Sequence, residues 1–66
     1  MRTDLLMNCL WFEDLAPDEL ADALELTPEA LFEKIFGKSG FSNAEIRQIM
    51  MLLGLTEEEA ERIFFA

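Results

Sequence analysis

Histidine and tyrosine are absent from the chain, and cysteine occurs once, at Cys9. Without an imidazole or a phenol, and with no base to activate the single thiol, nucleophilic and acid–base catalysis lack their usual residues. No enzyme is expected. One cysteine excludes an internal disulfide framework and fits a reducing compartment. Because Cys9 lies in an apolar helical pattern, a buried, inert thiol is expected there. Glycine occurs three times and proline twice, and no glycine-rich phosphate loop, zinc-ligand spacing or EF-hand loop is present. The carboxylates are not spaced as a cation cage. The reading therefore includes no cofactor, no metal and no small-molecule substrate. No apolar run is long enough to span a bilayer. The opening stretch MRTDLLMNCLWFEDL places Asp4 beside Arg2 and lacks a small-residue cleavage site, which makes a poor signal peptide. A cytoplasmic protein without membrane contact is the expectation.

Basic residues are scarce as well: five against fourteen acids, for a formal net charge of −9. The imbalance is local. Through Glu33 the chain carries nine acids and one base, Arg2; from Lys34 onward it carries five acids and four bases. Such an excess is either a solvated, solubilising face or a surface that repels polyanions and attracts basic partners. What the chain does have is apolar material, 52% of its 66 residues. That content argues against disorder and for one small domain, residues 1–66, with one modest core.

Strand-like alternation is missing and β-branched residues are few, whereas helical spacing runs throughout. Thr3 or Asp4 is placed to cap a first helix, 3–13, with Leu6, Cys9 and Leu10 inward. Leu15-Ala16-Pro17 interrupts it. Pro17, whose missing N–H is no loss in a first turn, starts a second helix, 17–24, burying Leu20, Ala21 and Leu24. Thr27-Pro28-Glu29-Ala30 starts a third, 28–36, with a hydroxyl cap, proline at the first position and an acid near the positive end. It buries Leu31 and Ile35 and stops at Gly37. After a loop at Lys38-Ser39-Gly40, Ser42 and Glu45 make a capping box for a fourth helix, 42–53, carrying Ile46, Ile49 and Leu53. Gly54 ends it, and Thr56 caps a fifth, 57–64. There the acids Glu57, Glu58 and Glu59 suit the positive end and Arg62 the last turn. The expected architecture is an all-α, five-helix bundle without internal repeats. Phe41, Leu55 and Ile63 complete the predicted core.

Some apolar residues exceed what that core needs. Phe32 and Phe36 are one turn apart on one face of the third helix, with Glu29 and Glu33 beside them. Either they cover a core edge, or they form an exposed aromatic pair rimmed by acids, which is the makeup of a protein-binding surface. Trp11, Phe12, Met7, Met50 and Met51 are a second surplus, and self-association as a two-fold dimer is expected through some of Trp11, Phe12, Phe36, Met50, Met51 and Phe65. Of Phe64 and Phe65, one ring is expected inward and the other outward.

In several places the residues resemble the lambda-repressor-like (Cro and Xre type) helix-turn-helix family, especially its short phage and prophage regulators. Leu20-Ala21 is similar to the family's Leu-Ala pair in helix two, and Leu31 to its core anchor in the recognition helix. Lys34-Ile35-x-Gly37-Lys38 resembles the segment closing that helix. Phe41-x-x-x-Glu45-Ile46 resembles the start of the next, and Leu53-Gly54-Leu55-Thr56 with Ile63-Phe64-Phe65 the usual ending. The resemblance covers nearly the whole chain and implies a compact helix-turn-helix bundle that reads DNA as a transcriptional regulator. Its DNA-contacting positions correspond to Pro28, Glu29, Phe32, Glu33, Phe36 and Lys38.

The departures fall at that surface. Helix two of the family opens with a hydroxyl residue that caps it and a Gln that, with backbone N–H groups, holds a phosphate; this chain has Ala16-Pro17. The turn between helices two and three normally carries a left-handed glycine, and here carries Glu25. Glutamate accepts a hydrogen bond from cytosine, yet two of them with no adjacent arginine face a row of phosphates whose binding comes mainly from Lys and Arg. The first reading is therefore a helix-turn-helix-fold protein working by protein–protein contact in phage- or mobile-element-related regulation, with a protein partner or itself as homodimer. Glu29, Phe32, Glu33 and Phe36 would bind the partner. The alternative is a DNA-binding regulator of the Cro and Xre type, and a third is an engineered scaffold with a redesigned surface.

Overall fold

The computed structural model describes residues 1–37 and 40–65, so the loop expected at Lys38 and Ser39 lies outside the described residues. Five helices form in order: α1 (Thr3–Phe12), α2 (Pro17–Ala23), α3 (Pro28–Phe36), α4 (Asn43–Leu53) and α5 (Glu57–Phe64). No strand occurs among the described residues. Each helix lies within one residue of the span read from the sequence. The reason is local chemistry at the helix starts. Thr27 accepts a hydrogen bond from the Ala30 N–H at 3.1 Å. Ser42 and Glu45 exchange side-chain-to-backbone bonds at 2.8 and 3.2 Å, and Thr56 and Glu59 do so at 2.9 and 3.2 Å. These satisfy amide groups that a helix start otherwise leaves unpaired. At α2 only half of this arrangement exists: Glu19 accepts from the Ala16 N–H at 3.0 Å, and alanine offers nothing in return.

The start of α1 departs from expectation. Neither Thr3 nor Asp4 caps it; the cap residue is Arg2, which makes no side-chain cap bond. Asp4 instead pairs with the Arg2 guanidinium at 2.8 Å. Thr3 turns inward and donates to the Ile35 carbonyl at 3.4 Å. The Arg2 N–H meanwhile donates to the Ile63 carbonyl at 2.6 Å. The N-terminus is thus tied to the ends of α3 and α5, and tertiary bonds replace the local cap.

Three helices end alike, although no repeat was expected. Asp14 and Glu25 have φ of 54° and 58°, and Gly54 has 66°. Each is followed by a leucine, Leu15, Leu26 or Leu55, whose N–H donates back to the carbonyl of Leu10, Ala21 or Met50 at 2.8–2.9 Å. The Asp14 and Glu25 N–H groups bond Trp11 and Asp22, both at 3.1 Å. A left-handed residue followed by an apolar one that folds over the last turn is a Schellman closure. Glu25 takes the left-handed conformation that the resemblance assigned to its position. Asp14 takes the same one with no forewarning. Gly37 ends α3 differently, in extended geometry (φ −90°, ψ −170°), and a Cβ there would overlap the Glu33 carbonyl.

Leu6, Leu10, Leu20, Ala21, Leu24, Leu31, Ile35, Ile46, Ile49, Leu53 and Ile63 are buried as expected. Two expected core residues are not fully buried. Phe41 lies at a groove, edge-on to Phe64 with centroids 5.9 Å apart, and Leu55 is occupied closing α4; both pack against the core from its margin. Ala60, small enough to pass as filler in the sequence, is buried on α5. Packing is most extensive between α2 and α3, with α5 lying against α4 and α1. The Cα radius of gyration of 10.6 Å is that of a compact chain of this length.

Candidate interaction surface

The surface of α3 follows from how its inner face is held. Leu31 and Ile35 are 0% and 3% exposed, which turns the intervening positions outward. Phe32 and Phe36 are 41% and 66% exposed. Their rings lie 6.2 Å apart, tilted by 31°, a favourable aromatic spacing. Pro28, Glu29 and Glu33 are exposed on the same helix. Lys34 is the nearest base. Its ammonium group bonds Glu45 at 3.2 Å, both side chains being largely covered. Backbone donation from Ser42, assisted by Lys34, holds the Glu45 carboxyl below its ordinary range. Lys34 therefore links α3 to α4 and is not a free cation beside the phenylalanines. Lys38 lies outside the described residues.

Phe36 and Phe65, distant in the sequence, are brought together in the fold. Phe36 shares a groove of about 440 Å³ with Phe65, Met1, Phe41 and Phe64, lying between the ends of α3 and α5. Phe65 is 65% exposed, while Phe64 turns inward beside Phe41, the one-in, one-out division expected. Of six phenylalanines, Phe36, Phe41, Phe64 and Phe65 line this groove. The pairing of Phe32 with Phe36 is legible in the sequence because one turn of helix is a local relation, whereas the approach of the α5 end to the α3 end is not.

Trp11 and Phe12 are elsewhere. They are 87% and 86% exposed at the end of α1. Phe12 borders a groove of about 520 Å³ with Cys9, Leu53, Leu55 and Glu59. Trp11 borders a smaller one with Leu15 and Pro17. Met51 is 85% exposed, whereas Met50 is half-buried beneath the α4 closure. The proposed self-association residues are thus distributed over more than one surface. Cys9 is half-buried, not buried, because it forms part of the Phe12 groove. Desolvation, with Glu59 and Glu13 nearby, raises its pKa, which favours the protonated thiol over the nucleophilic thiolate.

No buried side-chain nitrogen or oxygen lacks a partner among the described residues. No group of three potential metal ligands is found there either, and no helix is long and apolar enough to cross a membrane. No family model, curated protein or solved structure matches the chain.

Proposed function

We propose that this chain acts by protein–protein contact through the outward face of α3, on a helix-turn-helix bundle of the Cro and Xre type, in phage- or mobile-element-related regulation inside the cytoplasm. The observation that carries the reading is the exposed Phe32–Phe36 pair beside Glu29 and Glu33, on a helix whose own described base, Lys34, is engaged with Glu45. Exposed aromatics are the side chains that anchor protein interfaces. The carboxylates oppose phosphate binding, since each phosphate contact draws its strength from a cation displacing counterions. The fold assignment is supported by Glu25, which adopts the left-handed turn conformation between α2 and α3 where the resembled family carries glycine. Self-association as a homodimer is proposed for the outlying apolar side chains Trp11, Phe12 and Met51.

The alternative of a DNA-binding transcriptional regulator rests on the same bundle and is separated by one experiment. Selection from random-sequence duplex DNA at about 50 mM salt, where phosphate contacts are strong, is expected to enrich no motif. Changing Glu29 and Glu33 together to Arg is expected to create non-specific, salt-sensitive DNA affinity. Enrichment of a discrete motif by the unmodified chain refutes the interaction reading. Sedimentation of a monomer at high micromolar concentration refutes the dimer.

A further inference from the structure

A net charge of −9 opposes contact between copies of this chain, so self-contact is favoured only at a face that can set a base against an acid. The grooves differ in that respect. Among its described lining residues, the one beside Trp11 carries Asp14 and Glu19 and no base. The one between the ends of α3 and α5 carries Lys34 and no carboxylate. A two-fold axis sets a patch against itself, so neither can exchange opposite charges between copies. A hollow beside Phe65 has both signs, Glu58 and Glu61 with Arg62, but Phe65 is its only apolar wall among the described residues. The groove of about 520 Å³ between α1, the α4–α5 turn and α5 has both signs as well, Glu13 and Glu59 with Arg62, and it also has an apolar floor.

That floor is made by Leu5, Cys9, Leu53, Leu55 and Ile63, and Phe12 stands at its edge with 86% of its surface exposed. A projecting ring beside an apolar hollow gives one surface both halves of a contact, which is what a two-fold interface between identical patches requires. Resting on the self-association reading above, we infer that a second copy of this chain fills this groove: Phe12 of each copy enters the groove of the other, and Glu13 meets Arg62 of the other copy. Because Phe12 also walls the groove that its counterpart enters, the two rings meet near the axis, where aromatic contact adds to the area buried. Glu13 follows Phe12 in the chain, so seating the ring carries this carboxylate to the rim where Arg62 stands. Glu59 is the less available acid. Donation from its own Thr56 N–H at 2.9 Å, with Arg62 one turn further on, lowers the Glu59 carboxyl's pKa. Glu13 is in no ion pair among the described residues. The buried rings supply affinity and the two Glu13–Arg62 pairs fix the orientation. Trp11 and Met51 lie outside the contact.

The test uses the intact chain, with sedimentation for association, circular dichroism for fold, and the alkylation rate of Cys9 as a probe of the groove. As protein concentration rises through the range where the dimer forms, Cys9 alkylation is expected to slow, because the incoming Phe12 covers it. Phe12→Ala is expected to keep the helical spectrum, since the ring is exposed, and to weaken association about tenfold or more. Trp11→Ala, at an equally exposed neighbour, is expected to leave association unaltered. Glu13→Arg and Arg62→Glu are each expected to weaken it, because each sets like charges across the axis. An equimolar mixture of those two variants is expected to associate more tightly than either alone, since pairing one of each restores both opposite-charge contacts. Placing both substitutions in one chain is expected to restore the homodimer. Association that survives Phe12→Ala, or that is lost only on Trp11→Ala, overturns the groove as the interface while leaving the homodimer reading in place. Constant Cys9 alkylation as the dimer forms leaves the groove to some other occupant and also overturns the inference. No recovery in the mixture overturns the Glu13–Arg62 pairing. A parent chain that sediments as a monomer at high micromolar concentration overturns the homodimer reading itself, and the inference with it.

Discussion

Replacing Glu25 by glycine is expected to stabilise the fold, against the general tendency of substitutions to destabilise. Glu25 holds φ at 58°, where the Cβ of an L-residue crowds the following carbonyl at a cost of about 1–2 kcal/mol. Its side chain is exposed and makes no bond in return, and the closure of α2 uses only backbone groups, Glu25 N–H to Asp22 and Leu26 N–H to Ala21. Glycine keeps both bonds and removes the crowding. It also adds freedom to the unfolded chain, which takes back about 0.4–1 kcal/mol. The net gain is about 0.5–1 kcal/mol, equivalent to about 2–8 °C in midpoint for a domain this small. Thermal unfolding followed by circular dichroism reads it directly. Glu25→Ala is the control, since it removes the carboxylate but keeps the Cβ. Gly54→Ala is the reciprocal case: at φ 66° a Cβ meets nothing within 4 Å, so the expected loss of about 1–2 kcal/mol is conformational alone. Equal midpoints for Glu25→Gly and Glu25→Ala would refute the reasoning, as would an unaltered midpoint for Gly54→Ala.

Leu31→Ala, at a position with no solvent exposure, is expected to cost about 2–5 kcal/mol; against the small reserve of a domain this size, the cooperative melting transition should disappear. Phe32→Ala with Phe36→Ala removes exposed rings, so the helical spectrum should persist while partner or self binding is lost; collapse of the spectrum would show that the pair supports the core. The Glu45 carboxyl is held below its ordinary 4.5, so its contribution is complete above that value and is lost as pH falls through the lowered one. Glu45→Gln should therefore reduce stability at neutral pH and approach the parent's stability in acid, read by urea unfolding across pH. Cys9, with its pKa raised, should alkylate more slowly than a free cysteine at mildly alkaline pH; a faster rate would contradict its placement.

Helix starts were legible in the chain because their chemistry spans three residues. Thr27, Ser42 with Glu45, and Thr56 act on backbone groups that proximity in sequence already brings within reach. The inward faces of α3 and α4 were legible for a related reason: Leu31 with Ile35, and Ile46, Ile49 and Leu53, recur at the pitch of a helix whatever it packs against. The outward placement of Phe32 and Phe36 was left open, since periodicity identifies a face without saying whether another helix covers it. Tertiary structure decided that. It also decided that Thr3 bonds Ile35 across the bundle instead of capping α1, that Asp14 closes α1 in a left-handed turn, and that Phe41 and Leu55 remain at the margin of the core. Above all, the approach of α5 to α3 set Phe65 and Met1 beside Phe36. Local sequence carries hydrogen-bond and periodicity information over a few residues, whereas a groove between the ends of two helices depends on how all five pack around one core.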